Sequence, residues 1–252
     1  MEIAPGIHLV DRLKGSNVYL LVDDRLALVD TGMPGNTQVI LDYVRTLGRT
    51  PEELTHVVIT HGHLDHAGSA AELRRLTGAK VVAHRAETAR RSDGASVLKV
   101  DYSKTKPLIR ALSHLVRFRP CVIDVPVDDG DALPYLGGLR LVHTPGHTRG
   151  SMCPYLERRG VLFVGDTIIN NKDRLSRPLP LGSDTSESEE SLLKLSQLDF
   201  ETCCFGHGPT ITAWAREMVA YFVANHPTSP LWFRMLRRRH DLARFSARFW
   251  KK

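Results

Sequence analysis

The chain is short of cysteine, of long apolar runs and, over most of its length, of charge of one sign. Its four cysteines, Cys121, Cys153, Cys203 and Cys204, form no CxxC pair in 252 residues. That excludes a disulfide scaffold, and the four read as buried thiols of a reducing compartment. No stretch approaches the roughly 18 consecutive apolar residues that a membrane-spanning helix needs. The opening residues, MEIAPGIHLV, carry no basic segment followed by an apolar one. No secretion signal is read there, and the expected compartment is the cytoplasm. The net charge is +6, yet residues 229–252 alone hold eight basic residues and one acid. The chain before them is close to neutral, so it offers no footprint for a nucleic acid, and none is expected as a partner. No low-complexity stretch or linker divides the chain. With 42% hydrophobic and 25% charged residues it reads as a single domain, 1–252, long enough to bury a full core.

What is there is an alternation of short buried strands and helices. Val18–Val22, Leu26–Asp30, His56–Thr60, Lys80–His84, Cys121–Val127, Leu139–His143, Met152–Leu156, Val161–Val164 and Thr202–Phe205 read as strands. Residues 36–48, 69–76, 187–198 and 213–224 read as helices, with Val39, Ile40, Tyr43, Val44 and Leu47 at helical spacing in the first and Gly48 ending it. Two halves of mixed strand and helix predict an α/β (α+β) fold, two mixed sheets face to face with helices outside, an αβ/βα sandwich of four layers.

Two segments stand apart. Residues 92–120 carry an apolar face at helical spacing, Leu108, Ile109, Leu112, Leu115 and Phe118. The segment is either a connector packed on the sandwich or a cap over a cleft, and the second reading makes Leu115 and Phe118 candidate substrate contacts. Residues 229–252 read as a basic amphipathic helix with Trp232 and Trp250 on its apolar half. Docking of that half on the sandwich, or on a second copy in a homodimer, is expected ahead of a membrane surface.

The 12 histidines are unevenly spread, and the chemistry follows them. Thr60-His61-Gly62-His63-Leu64-Asp65-His66 places three imidazoles and a carboxylate within six residues, between a β-branched strand and a helix. A core histidine is normally single and hydrogen-bonded, whereas this density of N and O donors is what zinc and its neighbours bind. Three later strands end in turns with one such group each: His147 in Thr144-Pro145-Gly146-His147, Asp166 in Val164-Gly165-Asp166-Thr167, and His207 in Phe205-Gly206-His207-Gly208. Strand ends followed by turns are where ligands gather in α/β sheets. Together they supply seven ligands, enough for two metals.

In these residues the sequence resembles the metallo-β-lactamase superfamily, through the HxHxDH motif at His61, His63, Asp65 and His66 and its downstream partners His147, Asp166 and His207. An earlier strand-ending aspartate matches Asp30. The resemblance spans residues 7–210. It implies the αββα sandwich and a binuclear site at one edge, with His61, His63 and His147 on one ion, Asp65, His66 and His207 on the other, and Asp166 bridging. Two divalent ions about 3.5–4 Å apart lower the pKa of a shared water toward 7. The expected function is therefore a metallohydrolase, lactonase-like or thioesterase-like, cleaving a carbonyl ester, thioester or lactone of a small molecule with a metal-bridging hydroxide. Zinc is the expected ion, with Fe, Mn or Co also accepted by such donors. Asp65 is the candidate to orient the nucleophile and carry its proton. Asp30 is expected to hold a ligand or a loop from behind the ions.

Other members of the superfamily cleave phosphodiesters or β-lactams. Persulfide dioxygenases, which resemble glyoxalase II, bind one iron through positions that match His61, His147 and Asp166. Lactonases of acyl-homoserine lactones often carry tyrosine three residues after the bridging aspartate. Here that position is Ile169, a further candidate substrate contact.

Overall fold

Strands buried on both faces build this molecule outward from its middle. The computed structural model describes residues 1–90, 95–98, 121–172, 174–177 and 185–225. The first sheet has seven strands: β1 (Glu2–Ala4), β2 (Ile7–Val10), β3 (Val18–Val22), β4 (Leu26–Val29), β5 (Leu54–Val58), β6 (Lys80–His84) and β9 (Val125–Val127), adjacent in that order. It is antiparallel from β1 to β4 and parallel from β4 through β5 and β6 to β9. The second sheet runs β10 (Ala132–Leu133), β11 (Leu139–His143), β12 (Met152–Leu156), β13 (Val161–Gly165) and β16 (Thr202–Phe205), with β13 and β16 parallel. Two hairpins complete the strands, β7 (Thr88–Arg90) with β8 (Ser96–Leu98), and β14 (Ile169–Asn171) with β15 (Arg174–Ser176).

Alternation along each strand assigns its side chains to one of three apolar layers. Tyr19, Leu21, Ala27, Val29, Val58 and Val82 of the first sheet meet Leu139, Leu141, Met152, Leu156, Val161, Phe163 and Cys204 of the second. The intervening residues of the first sheet, including Leu20, Leu28, Val57 and Val81, pack under helices α1 (Thr37–Thr46) and α3 (Ala70–Thr77) through Ile40, Val44 and Leu73. Those of the second, including Val142, Tyr155, Leu162 and Phe205, pack under α4 (Thr185–Ser196) and α5 (Ala215–Asn225) through Leu192, Leu195, Val219 and Val223. The result is the four-layer sandwich, helices–sheet–sheet–helices. Strands covered on both sides read as continuous apolar runs rather than as alternating ones.

Several boundaries differ from the sequence reading. The strand read over Cys121–Val127 joins the first sheet only at Val125–Val127; Val122 instead bridges Val97, and between them Asp124 turns its carboxylate to Arg74 and to the Val81 amide. The strand read over His56–Thr60 is Leu54–Val58. The N-terminal strands β1 and β2 and the two hairpins are additional. All four cysteines are buried and free, and burial pushes the Cys153 thiol up to about 11. No helix among the described residues is long and apolar enough to cross a membrane. Residues 99–120, most of the expected cap and including Leu115 and Phe118, lie outside the described residues, as does the basic segment 229–252.

Candidate metal centre

The chemistry-bearing residues all leave the ends of strands at one edge of the sandwich. Asp30 follows β4, Asp166 follows β13, His207 lies two residues past β16, and His147 stands in the loop from β11 to β12. His61 lies three residues past β5. His63 stands extended at the start of a single helical turn, α2 (Leu64–Ala67), which carries Asp65 and His66. Parallel pairing of β4 with β5 and of β13 with β16 brings these ends to the same side.

Seven side chains converge there in three overlapping groups: His61, His63 and His147; His61, His66 and Asp166; and Asp65, His66 and His207, with the ligand atoms of each group within 4.8 Å of one another. The Nδ1 of His63 lies 3.0 Å from the Nε2 of His61 and 3.0 Å from the Nε2 of His147. A neutral imidazole has a single N–H, so one His63 nitrogen cannot satisfy two neighbours by hydrogen bonding alone. Three nitrogens about 2.0–2.1 Å from a tetrahedral zinc ion would stand roughly 3.3 Å apart, close to this spacing.

Asp166 lies between the groups. Its Oδ2 is 3.7 Å from His147 Nε2 and 3.6 Å from His207 Nε2, and its Oδ1 is 3.3 Å from His66 Nε2. His207 Nε2 is 3.2 Å from Asp65 Oδ2. His66 Nε2 and Asp166 Oδ1 are buried without a hydrogen-bond partner among the described residues. Buried polar atoms are rarely left so, and a cation accepting both would resolve them. The residues present therefore fit a bound metal ion.

Asp30 stands behind the cluster, 2% exposed, and orients two of its members. Its Oδ2 accepts from His66 Nδ1 at 2.8 Å and from the Thr60 hydroxyl at 2.8 Å, while Oδ1 accepts from the Thr60 amide at 2.8 Å. The Thr60 hydroxyl in turn lies 3.1 Å from His61 Nδ1. With the Nδ1 protons of His61 and His66 directed at Thr60 and Asp30, both Nε2 lone pairs are left for a metal.

Charge in the cluster is set by burial and by the neighbours. Burial, then the other histidines, pushes His61 well below the ordinary histidine value. Burial likewise pushes His147 down to about 4. His66 goes the other way: burial opposes its charge, but the carboxylates of Asp166 and Asp30 outweigh it and hold the ring well above the usual range. Burial also opposes ionisation of Asp166 and Asp65. The surrounding imidazoles win at both, His66 first for Asp166 and the His207 hydrogen bond first for Asp65.

The supporting residues that motif reading misses are Glu87 and Asn17. Glu87 is buried, and its carboxylate accepts from the Gly62 and Gly150 amides. The Asn17 side chain donates to the carbonyls of Phe205 and Gly208, bracketing His207. No motif signals either residue, because their partners are mostly backbone groups of distant loops. Ile169 is half-buried at the start of β14, opposite Ser176.

Comparisons with known proteins agree with this architecture. The probable metallo-hydrolase YflN of Bacillus subtilis (strain 168) is 28% identical over 237 residues, covering 84% of this chain and 87% of that protein. The hydroxyacylglutathione hydrolase of Maricaulis maris (strain MCS10) is 32% identical over 176 residues, covering 69% of this chain and 55% of that protein. Among solved structures, a metallo-beta-lactamase family protein from Thermus thermophilus superposes with a TM-score of 0.68 at 26% identity, covering 89% of this chain and 80% of that one. The family model of the metallo-beta-lactamase superfamily matches residues 11–207, a span that opens just before β3 and closes on His207. With Asp30 and all seven converging side chains inside that span, the chain belongs to the metallo-beta-lactamase superfamily.

Proposed function

We propose that this chain is a metal-dependent hydrolase that cleaves a carbonyl ester, thioester or lactone of a small molecule at a pair of divalent ions, with zinc the ion best suited to the donors. The observation that carries the reading is the position of Asp166 within 3.3–3.7 Å of histidines from both trios. His61, His63 and His147 would hold one ion, Asp65, His66 and His207 the other, and Asp166 both. When bound, such ions supply a Lewis acid for a carbonyl oxygen and bring the pKa of a water toward neutrality.

The chain's own groups divide the remaining work by exposure. Asp166, with a side chain 9% exposed, stays a carboxylate inside the cluster and offsets part of the ions' charge. Asp65 and His207 are the open side, their side chains 37% and 32% exposed, so substrate approaches there. Asp65 is therefore the group placed to take the proton of the attacking water and pass it to the leaving group. His61 and His66 close the inner wall, where excluded water strengthens every charge interaction. The relative named for hydrolysis of hydroxyacylglutathione supports acyl compounds as the substrate class.

The test is metal content after reconstitution, together with turnover of a panel of lactones, thioesters, β-lactams and phosphodiesters. Two ions per chain and turnover of an acyl substrate are expected. One iron per chain with oxygen uptake would replace this reading by an oxidoreductase using His61, His147 and Asp166. Asp166→Ala should abolish turnover and lower occupancy of both ions. Wild-type occupancy at both sites in that variant would remove the bridging role.

A further inference from the structure

Glu87 is an acid buried where the two halves of the sandwich meet, and the chemistry described so far does not use it. It ends the short turn Arg85–Glu87 that follows β6, and it is 5% exposed. Its Oε2 accepts from the Gly62 amide at 2.7 Å. Its Oε1 accepts from the Gly150 amide at 2.8 Å and from the Thr148 hydroxyl at 2.5 Å. All three donors are uncharged. Gly62 stands between His61 and His63, and Thr148 follows His147. A single side chain thus spans two loops that different sheets supply, and these loops carry the three histidines that face one another at 3.0 Å.

The fit around this carboxylate is close. A Cβ on Gly150 would lie 2.6 Å from Glu87 Cγ and 2.7 Å from its backbone nitrogen. Glycine at 150 is what lets the loop after His147 come down on Glu87. The Thr148 hydroxyl and amide also meet the Ser151 hydroxyl, at 2.8 and 3.0 Å, which fixes the hydroxyl that Glu87 engages.

We infer that Glu87 is the positioning residue of the three-histidine metal site, joining the His61–His63 loop to the His147 loop so that their nitrogens stand ready before an ion arrives. This rests on the metallohydrolase reading. Glu87 touches neither ion nor substrate and acts through Gly62, Thr148 and Gly150. Both of its oxygens are needed as acceptors. A glutamine must turn an NH2 group either to the Gly62 amide or to the Gly150 amide, and one loop then faces a donor with a donor.

Zinc affinity measured by competition with a chelator, on the full chain, tests the inference. The variants are Glu87→Gln, Glu87→Ala and Thr148→Val, each also in a His207→Ala background that leaves the three-histidine group as the reporter. Metal-free melting temperatures are recorded alongside. Glu87→Gln should weaken that site by about 10–100-fold, as loss of a residue supporting metal ligands does. Thr148→Val, which removes one of the three hydrogen bonds, should weaken it less, with little change in its metal-free melting temperature. Wild-type affinity in Glu87→Gln and Thr148→Val would overturn the inference. So would a fall in metal-free melting temperature with no fall in affinity, which marks a purely structural role. If Glu87→Ala does not fold, the other two variants decide. A wild-type chain that binds no zinc removes the hydrolase reading and this inference with it, whereas two tightly bound ions in wild type and variants alike remove only the role of Glu87.

Discussion

Replacing Asp30 with asparagine tests the geometry behind the cluster most directly. The backbone at Asp30 is left-handed, φ 61°, a region that asparagine also tolerates, so the substitution leaves the turn after β4 in place. What changes is the count of acceptors. Asp30 Oδ1 serves the Thr60 amide at 2.8 Å, while Oδ2 serves His66 Nδ1 and the Thr60 hydroxyl, both at 2.8 Å. Asparagine keeps one oxygen. If that oxygen faces Thr60, the His66 ring meets an NH2 group and must move its proton to Nε2, the atom that would bind metal. If it faces His66, the buried Thr60 amide loses its acceptor, and the hydroxyl that orients His61 shifts with it. In the first arrangement, binding metal forces that proton back against the NH2 group, and in the second the Thr60 amide is left without an acceptor; each clash costs about 1–3 kcal/mol. With tenfold for each 1.4 kcal/mol, that corresponds to roughly 5–150-fold in zinc affinity. Chelator competition on the variant, with urea unfolding of the metal-free protein beside it, measures both quantities. Wild-type affinity for both ions in Asp30→Asn would refute the reasoning, because Thr60 and His66 would then be held by something other than this carboxylate.

Other consequences follow at single residues. Asp65→Asn should keep much of the bound metal and lose about 10²–10⁴-fold in kcat, and an unchanged kcat would take the proton-transfer role from it. Gly208 has φ +90°, and a Cβ there would fall 1.6 Å from the Asn170 carbonyl oxygen. Gly208→Ala should therefore displace the His207 loop, cost at least about 1–3 kcal/mol in unfolding free energy and weaken the Asp65–His66–His207 ion more than the other. His84 stacks on His143 with centroids 3.8 Å apart, and burial, then that neighbour, pushes it down to about 4. Because the folded value lies below the unfolded one, the unfolded chain binds more protons between the two. The stability contribution is full above pH 6.5 and is lost as pH falls toward 4, by about 1–2 kcal/mol once nearby solvent is allowed for. Urea unfolding of metal-free His84→Gln should show a correspondingly shallower loss between pH 7 and 5, and an identical loss would exclude His84 as its source.

The sandwich was readable because its strands are buried on both faces: runs such as Leu26-Ala27-Leu28-Val29 and Val161-Leu162-Phe163-Val164 have no other place to go. The metal-ligand candidates were readable for the opposite reason, as histidines and two aspartates set in or just after glycine-containing turns at the ends of such runs. Glu87 and Asn17 give no comparable signal. An acid in Arg85-Ala86-Glu87 looks like any exposed turn residue, and its burial is decided by Gly62 and Gly150, neither close to it in sequence. The same holds for β1 and β2, where Ile7 and Val10 are the buried positions of a four-residue strand and show too little period to mark it.

The distribution of the cluster over both sheets also sets a timetable for the newborn chain. Each of the three ligand groups contains a member beyond residue 146: His147, Asp166 or His207. The first half of the protein can fold its parallel strands and display His61, His63, Asp65 and His66, yet it has no finished coordination set. At ribosomal speeds of about 5–20 residues per second, the 60 residues from His147 to His207 take on the order of 3–12 s. During that interval a metal ion meets only partial sets, with fewer donors and weaker retention. On the metallohydrolase proposal, the choice of metal would thus fall to the completed fold, in equilibrium with whatever ions the cell keeps free, and an ion captured early would stay open to exchange until the last histidine arrives.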